Sequence, residues 1–434
     1  MALIRKQVIC PYCDRKIYLG DCPIVATNRG SDAGQFGAQF GVGGDIPLGG
    51  ADDATAQRYP VLWRPPPPTV KSEPPPKSLF GRIVDALANV DEDEGPEEDE
   101  IITPISSFDS AWSDLPARAC TECGTPLPDE IGDRQIWKIG IVGTTGAGKT
   151  HFLAALLKEA AHNQGLRRWG IGEFDLVETS SELFRDRYEP FWHDHRVLDP
   201  TNPADAPEVV FRPLIVRVTL LRGTRVLLYF YDIDGETLIN RGQRARHASY
   251  LRRPHGLIFL IDPVMIDSIR KRLPPDETGE ADKPTYRRSI RQGDLVNACI
   301  SDLEPGRARK TPIAITLSKS DLVITAATRG HPFTFARQPD TGDPIEATAA
   351  EMAQINREVR EVLGAAGELD LLAVADRLGP GAPVTFHAVA PIGYSPRPDA
   401  DGDRIAPTIK PLRCLDPLMA VLSPWVRDQL RASL

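Results

Sequence analysis

The sequence predicts an α/β protein: a three-layer domain on a mostly parallel sheet over residues 134–434, preceded by a small cysteine-bearing module that a long insert divides. Three observations lead there. Ile136 to Val142 is a β-branched apolar run, followed by a glycine-rich loop and then by HFLAALLKEAAHN, whose apolar residues recur at helical spacing. The stretch VVFRPLIVRVTLLRGTRVLLYFYDIDGE holds two strand-like runs separated by the turn RGTR. GLIFLIDP, TPIAITLS and VTFHAVAP then read as buried strands.

The boundaries follow from shifts in composition. Residues 1–23 carry a first cysteine pair and 116–133 a second, with 24–115 between them. That insert is glycine-rich (GQFGAQFGVGGDIPLGG), then proline-rich, with seven prolines among residues 65–76, then acidic, with eight carboxylates among residues 91–100. Such segments bury too little apolar surface to offset chain entropy, so most of 24–115 is expected to be disordered. Within it SLFGRIVDALANV places Leu79, Phe80, Ile83, Val84 and Leu87 at helical spacing behind Ser78. This helix would dock either in a partner's groove or on the protein's own domain, and apolar periodicity does not choose between them.

The formal charge of −9 on 434 residues owes much to the acidic run, and no basic nucleic-acid footprint stands out. No run of 18 or more apolar residues exists, and MALIRKQVICPYC lacks the apolar core of a signal peptide, so the expected location is cytoplasmic and away from membranes. In a reducing compartment the seven cysteines read as ligands and packed thiols. CPYC (Cys10, Cys13) is also a redox-motif spelling, but such a dithiol opens a long helix, and none is patterned here. Paired with Cys120 and Cys123 of ACTECGTPLP, it forms instead the two knuckles of a four-cysteine zinc ribbon. The 106 residues between Cys13 and Cys120 exceed the usual ribbon spacing. Closing that loop costs only about 1.6 kcal/mol more than closing one of about 18 residues, against roughly 10–16 kcal/mol of zinc binding. Cys22 either replaces one ligand or stands by; Cys299 and Cys414 read as packed thiols.

Gly143, Thr144, Thr145, Gly146, Ala147, Gly148, Lys149 and Thr150 fill G-x-x-x-x-G-K-[ST] between a strand and a helix, the context that gives this pattern its meaning. Glycines let backbone N–H groups turn onto a phosphate, and the helix N-terminus adds partial positive charge. Lys149 would reach the β and γ phosphates, and Thr150 would hold Mg2+.

After the hairpin stands Asp232-Ile233-Asp234-Gly235, and after the TPIAITL strand stands Ser318-Lys319-Ser320-Asp321. In this order the pieces resemble the TRAFAC-type P-loop GTPases of the translation-factor and Ras class. The resemblance implies that Asp232 serves Mg2+, that the Gly235 N–H meets the γ-phosphate, and that Lys319, Asp321 and Ala388 surround guanine. Ser318 departs from the Asn or Thr of the family pattern. The Asp321 carboxylate has two acceptors for guanine's N1–H and 2-amino group, a donor pair that adenine lacks. A cysteine knuckle just before such a domain is also similar to bacterial zinc-ribbon-fused double-GTPase proteins, which implies a role in prophage or conflict systems.

The segment before the hairpin is harder to place. TSSELFRDRYEPFW opens with a capping-box pattern, Thr179 with Glu182, and reads as a helix. Thr201 is the candidate Mg2+-sensing threonine; His193 and His195 read as polar loop residues. Glu236 stands where small GTPases commonly have Gln, so slow hydrolysis is expected. Arg241 and Arg244 are candidates to supply charge in cis, weighed against a solvated basic helix face. The resulting expectation is a GTP-binding, Mg2+-dependent regulatory switch with a zinc ribbon and a protein partner or activator. The alternatives are an ATP-binding signalling NTPase and a noncatalytic GTP-bound adaptor acting through its ribbon. Nucleic-acid binding by the ribbon has no support in the sequence, and the oligomeric state is open.

Overall fold

The protein is described by a computed structural model, which covers residues 6–11, 13, 15–25, 61–63, 117–122, 124–125, 127–162, 164–195, 198, 213–232, 235, 238, 244, 249–274, 291–327, 332–338, 345–393, 397–398, 404–405 and 409–432. The expected helix at 78–90 lies outside them, as does most of the insert. The chain divides into two compact units, one of Met1–Gln7 with Ile17–Leu127 and one of Val8–Lys16 with Pro128–Leu434.

Small sheets gather near the N-terminus. Strands β1 (Gln7–Ile9) and β2 (Lys16–Tyr18) pair with each other. β3 (Ile24–Val25) pairs antiparallel with β4 (Val61–Trp63) and with β5 (Ala117–Arg118). The register Ile24↔Arg118 joins backbone across the insert, and the Arg118 Nη1–H donates to the Leu19 carbonyl at 3.0 Å. The first residues of the insert are thereby paired with the segment that follows it.

The larger unit is built on β6 (Gln135–Gly143), α1 (Lys149–His162), β7 (Ile171–Leu176), α2 (Glu178–His193), β8 (Leu214–Leu220), β9 (Arg225–Asp232) and β10 (Gly256–Ile261). It continues with α3 (Gln292–Ser301), β11 (Ile313–Leu317), α4 (Ser320–Ala326), α5 (Ile345–Ala365), β12 (Val384–Ala388) and α6 (Leu415–Ala432). The sheet order is β12-β11-β10-β6-β9-β8-β7. β12, β11, β10, β6 and β9 run parallel; β8 is antiparallel to β9, and β7 to β8. This is the mostly parallel, three-layer α/β arrangement expected from the sequence.

Strand alternation explains the layers. Leu227, Tyr229 and Tyr231 of β9 enter one core, and Val226, Leu228 and Phe230 enter the other. β10 does the same with Leu257, Phe259 and Ile261 against Ile258 and Leu260. Strands covered on both faces need continuous apolar runs, which is why these segments show no polar alternation. On one side α5 contributes Ile355, Val359 and Leu363, four residues apart along one helical face. On the other, α1 contributes Phe152, Leu153, Leu156 and Leu157, and α6 contributes Leu418, Val421 and Leu422.

The capping box needs correction. Helix α2 exists, but it starts at Glu178 with Val177 as its cap and no side-chain capping bond, so Thr179 lies inside the first turn. A tertiary contact fixes the start. The Ser180 Oγ accepts the Ile215 N–H of β8 at 2.8 Å, and the Val177 carbonyl accepts the N–H groups of Ser180 and Ser181. No described helix is long and apolar enough to cross a membrane.

One buried titratable group gives the fold a pH signature. His387 of β12 is 2% exposed, its Nε2 lies 2.8 Å from the Thr385 Oγ1, and burial, with the Arg413 charge behind it, pushes its pKa down to about 3. Because the folded value lies below the unfolded one, its contribution is complete above about pH 6.5 and declines as pH falls toward 3. In urea titrations from pH 7 to pH 4, the stability difference between the parent and His387→Gln should shrink by about 1.4 kcal/mol per pH unit below pH 6.5. A pH-independent difference would show that His387 does not titrate on unfolding.

Candidate functional site

The parallel strands end on one edge of the sheet, and their following loops meet there. After β6 the chain turns through Thr144–Gly148 into α1. Gly146 and Gly148 have φ of 83° and 81°, a conformation that an L side chain strains to adopt. The Ala147 N–H donates to the Thr144 carbonyl at 3.1 Å and the Phe152 N–H to the Gly148 carbonyl at 2.8 Å, closing the loop onto the helix N-terminus. Lys149 curls back over the loop, its Nζ donating to the carbonyls of Gly143 and Thr144 at 2.9 and 3.2 Å. The Thr144 Oγ1 is buried with no hydrogen-bond partner among the described residues. Ala147 is buried, and Thr145, Gly146 and Gly148–Thr150 are half-buried. A closed loop, positive helix end and lysine make a cradle for an anion.

At the end of β9, the Thr150 Oγ1 donates to the Asp232 Oδ2 at 3.3 Å. A hydroxyl and a carboxylate so placed beside an anion cradle form a donor set suited to a hard divalent cation. Gly235 presses against the loop: a Cβ built there would stand 2.5 Å from the Gly143 oxygen and 3.0 Å from the Thr144 Cα. Behind Asp232, Tyr231 stacks on Tyr250 at 3.9 Å between ring centroids, and the Tyr231 hydroxyl donates to the Pro11 carbonyl at 2.6 Å. His151, next to Thr150, accepts the Leu198 N–H at its Nε2 at 3.0 Å. Thr201, Asp234, Glu236 and Arg241 lie outside the described residues.

Arg244 departs from both readings of the sequence. It is 5% exposed, its Nε and Nη2 donate to the Asp302 carboxylate at 2.5 and 3.3 Å, and its Nη1 donates to the Leu238 carbonyl at 2.6 Å. It is neither a solvated cation nor a charge aimed at the phosphate loop. Its charge is consumed by Asp302, which sequence spacing could not reveal because the two are 58 residues apart.

The third cluster follows β10, β11 and β12. Both the N–H and the Oγ of Ser318 donate to the Ile261 carbonyl, at 2.9 and 3.0 Å, tying the loop to β10 in place of a longer side chain. Lys319 is left-handed, at φ 48° and ψ 43°, which is unusual for a residue with a Cβ. Its Nζ reaches the Asp262 Oδ2 at 2.8 Å. The Ser320 N–H donates to the Val389 carbonyl at 3.0 Å, bringing in the end of β12, where Ala388 is 1% exposed. Asp321 opens α4. Burial raises its carboxyl pKa, opposed by its own and the Leu322 N–H and by Lys319. Sequence reasoning overlooked Asp262 and Gln292, which are both buried here. The signal for Asp262 was present: D-P directly after a buried strand is a helix-cap pairing, and its side chain does accept the Val264 N–H.

Of the cysteines, Cys10 and Cys13 belong to the larger unit and Cys120 to the smaller. The Cys10 N–H donates to the Arg15 carbonyl, the Cys120 N–H to the Thr125 carbonyl, and the Glu122 N–H to the Cys120 Sγ at 3.3 Å. A tight turn with an N–H group directed at the Cys120 sulfur suits a thiolate ligand. Cys123 lies outside the described residues. Cys22 is buried, donates to the Tyr18 carbonyl at 3.4 Å, and is raised to about 11, chiefly by burial. Cys299 and Cys414 are buried elsewhere. His193 pairs loosely with Glu189 at 3.9 Å on an exposed helix end, and His195 follows at φ 56°.

The family model described as Double-GTPase 2 matches residues 138–380. No curated protein matches the chain. Among solved structures, the GTPase-like domain of S. cerevisiae Ski7, bound to GTP, is 15% identical over 61% of this chain and 46% of its own, with a TM-score of 0.28. This chain thus spans less than half the length of that one. The Arl6 BBS3 small GTPase of Trypanosoma brucei, with the bound analogue GppNp, is 12% identical over 59% of this chain and 88% of its own, with a TM-score of 0.22.

The contact at Gly235 sets a measurable limit. An added Cβ forces the loop or the Gly235 backbone to move, at a cost of about 1–3 kcal/mol. Gly235→Ala should therefore lower the melting temperature by about 2–8 °C. Gly306→Ala, whose Cβ meets nothing within 4 Å, should leave it unchanged. Equal melting temperatures for the two variants would mean that Gly235 does not pack on the loop in solution.

Proposed function

Because the chain belongs to the Double-GTPase 2 family, whose model spans residues 138–380, we propose that it is a GTP-binding, Mg2+-dependent regulatory switch that hydrolyses GTP slowly. The observation that carries this reading is the convergence of the Lys149 cradle and the Lys319–Asp321 turn on one edge of the sheet. Lys149 leaves its two carbonyl partners for the β and γ phosphate oxygens, and Gly143–Gly148 supply N–H groups. Thr150 and Asp232 would hold the magnesium ion, which would supply charge neutralisation. Gly235, already against the loop, would offer its N–H to the γ-phosphate, and Thr201 is the candidate Mg2+-sensing threonine. Ala388 faces the base beside Asp321.

Slow turnover has two supports. Glu236 brings a carboxylate where a neutral water-orienting group serves best, and Arg244 is sequestered by Asp302. Charge for the transition state then comes from a protein partner. The same observation favours a second reading, a GTP-bound adaptor without turnover, and single-turnover hydrolysis separates the two. An ATP-binding signalling NTPase, the other alternative, is separated by competition between nucleotides.

Zinc belongs to the same proposal. Cys10, Cys13 and Cys120, with Cys123, hold it as thiolates. The Tyr231–Pro11 hydrogen bond connects the loop between Cys10 and Cys13 to the strand that carries Asp232, giving the knuckle a route for sensing the nucleotide. A reducing cytoplasm suits those thiols, and the prophage or conflict setting rests on family resemblance alone.

Two measurements test this. Asp321→Asn keeps an acceptor for the base N1–H but turns a donor toward position 2, so preference should move from GTP to XTP, with the parent favouring GTP over ATP at least roughly tenfold. A parent indifferent between GTP and ATP would remove the guanine assignment. Elemental analysis should find about one zinc per chain, lost in Cys120→Ser; a metal-free parent would refute the zinc site.

A further inference from the structure

Asp262 is the buried charged group near the site that neither sequence motifs nor the proposed chemistry employs. It directly follows β10 at 0% exposure. Its Oδ1 accepts the Val264 N–H at 3.0 Å and its Oδ2 accepts the Lys319 Nζ at 2.8 Å. Its main chain is gripped as well. The Asp262 N–H donates to the Gln292 Oε1 at 2.6 Å, and the Gln292 Nε2 donates back to the Asp262 carbonyl at 3.1 Å. Gln292 is the first residue of α3, so the carboxylate is held by a strand end and a helix start together.

We propose that Asp262 is a positioning residue for the purine base, acting through Lys319. This rests on the guanine reading above and adds to it the device that sets the turn before a base arrives. A buried carboxylate must be paired, so Asp262 draws the Lys319 ammonium inward. The Lys319 side chain nevertheless stays 26% exposed, its head anchored and part of its length presented to solvent where a ring could lie. The same pull offsets the left-handed backbone of Lys319, from which the chain enters α4 with Asp321 in its first turn. Ser318 and Ser320 tie the turn to β10 and β12 through main-chain carbonyls. Asp262 adds a charged partner at 2.8 Å from its central residue's ammonium. A flexible four-carbon cation has many rotamers, and fixing one in advance removes that ordering cost from binding.

The test is a double-mutant cycle on the full chain, with GDP as the probe and melting temperature recorded for every variant. Asp262→Asn should weaken GDP about tenfold, since it replaces a charge-assisted bond to lysine by a neutral one. In a Lys319→Ala background the same substitution should change GDP affinity less than about twofold. In an Asp321→Asn background it should weaken XDP by the same factor of about ten, because it acts on the lysine and not on the base edge. Gln292→Met, which loosens Asp262 without touching Lys319, should give a smaller loss that likewise vanishes with Lys319→Ala, and it serves if Asp262→Asn unfolds. GDP affinity unchanged in Asp262→Asn and Gln292→Met, or weakened equally with and without Lys319, overturns the proposal alone. A parent that binds ADP as tightly as GDP overturns it together with the guanine reading.

Discussion

The parallel alignment of β6 with β9, β10 and, through β10, β11 and β12 is the constraint on which the rest of the structure depends. Parallel strands begin on one edge and end on the other, so every loop leaving a strand C-terminus is delivered to the same side. Residues as distant as Gly143, Asp232, Asp262, Ser318 and Ala388 thus need no mutual recognition to become neighbours. Burial of both sheet faces maintains the alignment, because slipping one strand by a residue would exchange its two apolar sets between cores of different shape.

Within that edge, the site is held by short-range polar ties. Ser318 takes the Ile261 carbonyl, Ser320 takes that of Val389, and Gln292 clamps the main chain of Asp262. Each satisfies a backbone group that the end of a sheet would otherwise leave open. The departure at Ser318 is understandable in these terms. A short hydroxyl suffices because the partner carbonyl is on the adjacent strand. Charge is handled differently. Lys149 rests on carbonyl oxygens, whereas Lys319 rests on a buried carboxylate and Arg244 on Asp302. Neutral oxygens release a cation to an incoming anion more readily than a carboxylate does.

The knuckle of Cys10 and Cys13 shows how a distant part of the sequence enters the same mechanical unit. Residues Val8–Lys16 group with Pro128–Leu434, and Tyr231 contributes the hydrogen bond to Pro11. Tyr231 is also fixed by its stack on Tyr250. A tyrosine that is rigid on its aromatic face and bonded at its hydroxyl moves only with its strand, and Asp232 is the next residue on that strand.

The sequence by itself determined the mostly parallel α/β architecture and the strand–loop–helix setting of Gly143–Thr150. These are local properties. Apolar runs, glycine placement and motif spacing act over a few residues and are written contiguously. Only the tertiary structure decided what each polar group faces. The start of α2 moved to Glu178 because the Ser180 hydroxyl is taken by Ile215 of β8, overriding the capping-box spelling at Thr179. Arg244 became a buried partner of Asp302, and Asp262 became the seat of Lys319, through pairings 58 and 57 residues apart. A charged side chain carries no sequence mark of the counter-charge it will meet, because that partner is chosen by how helices and strands pack.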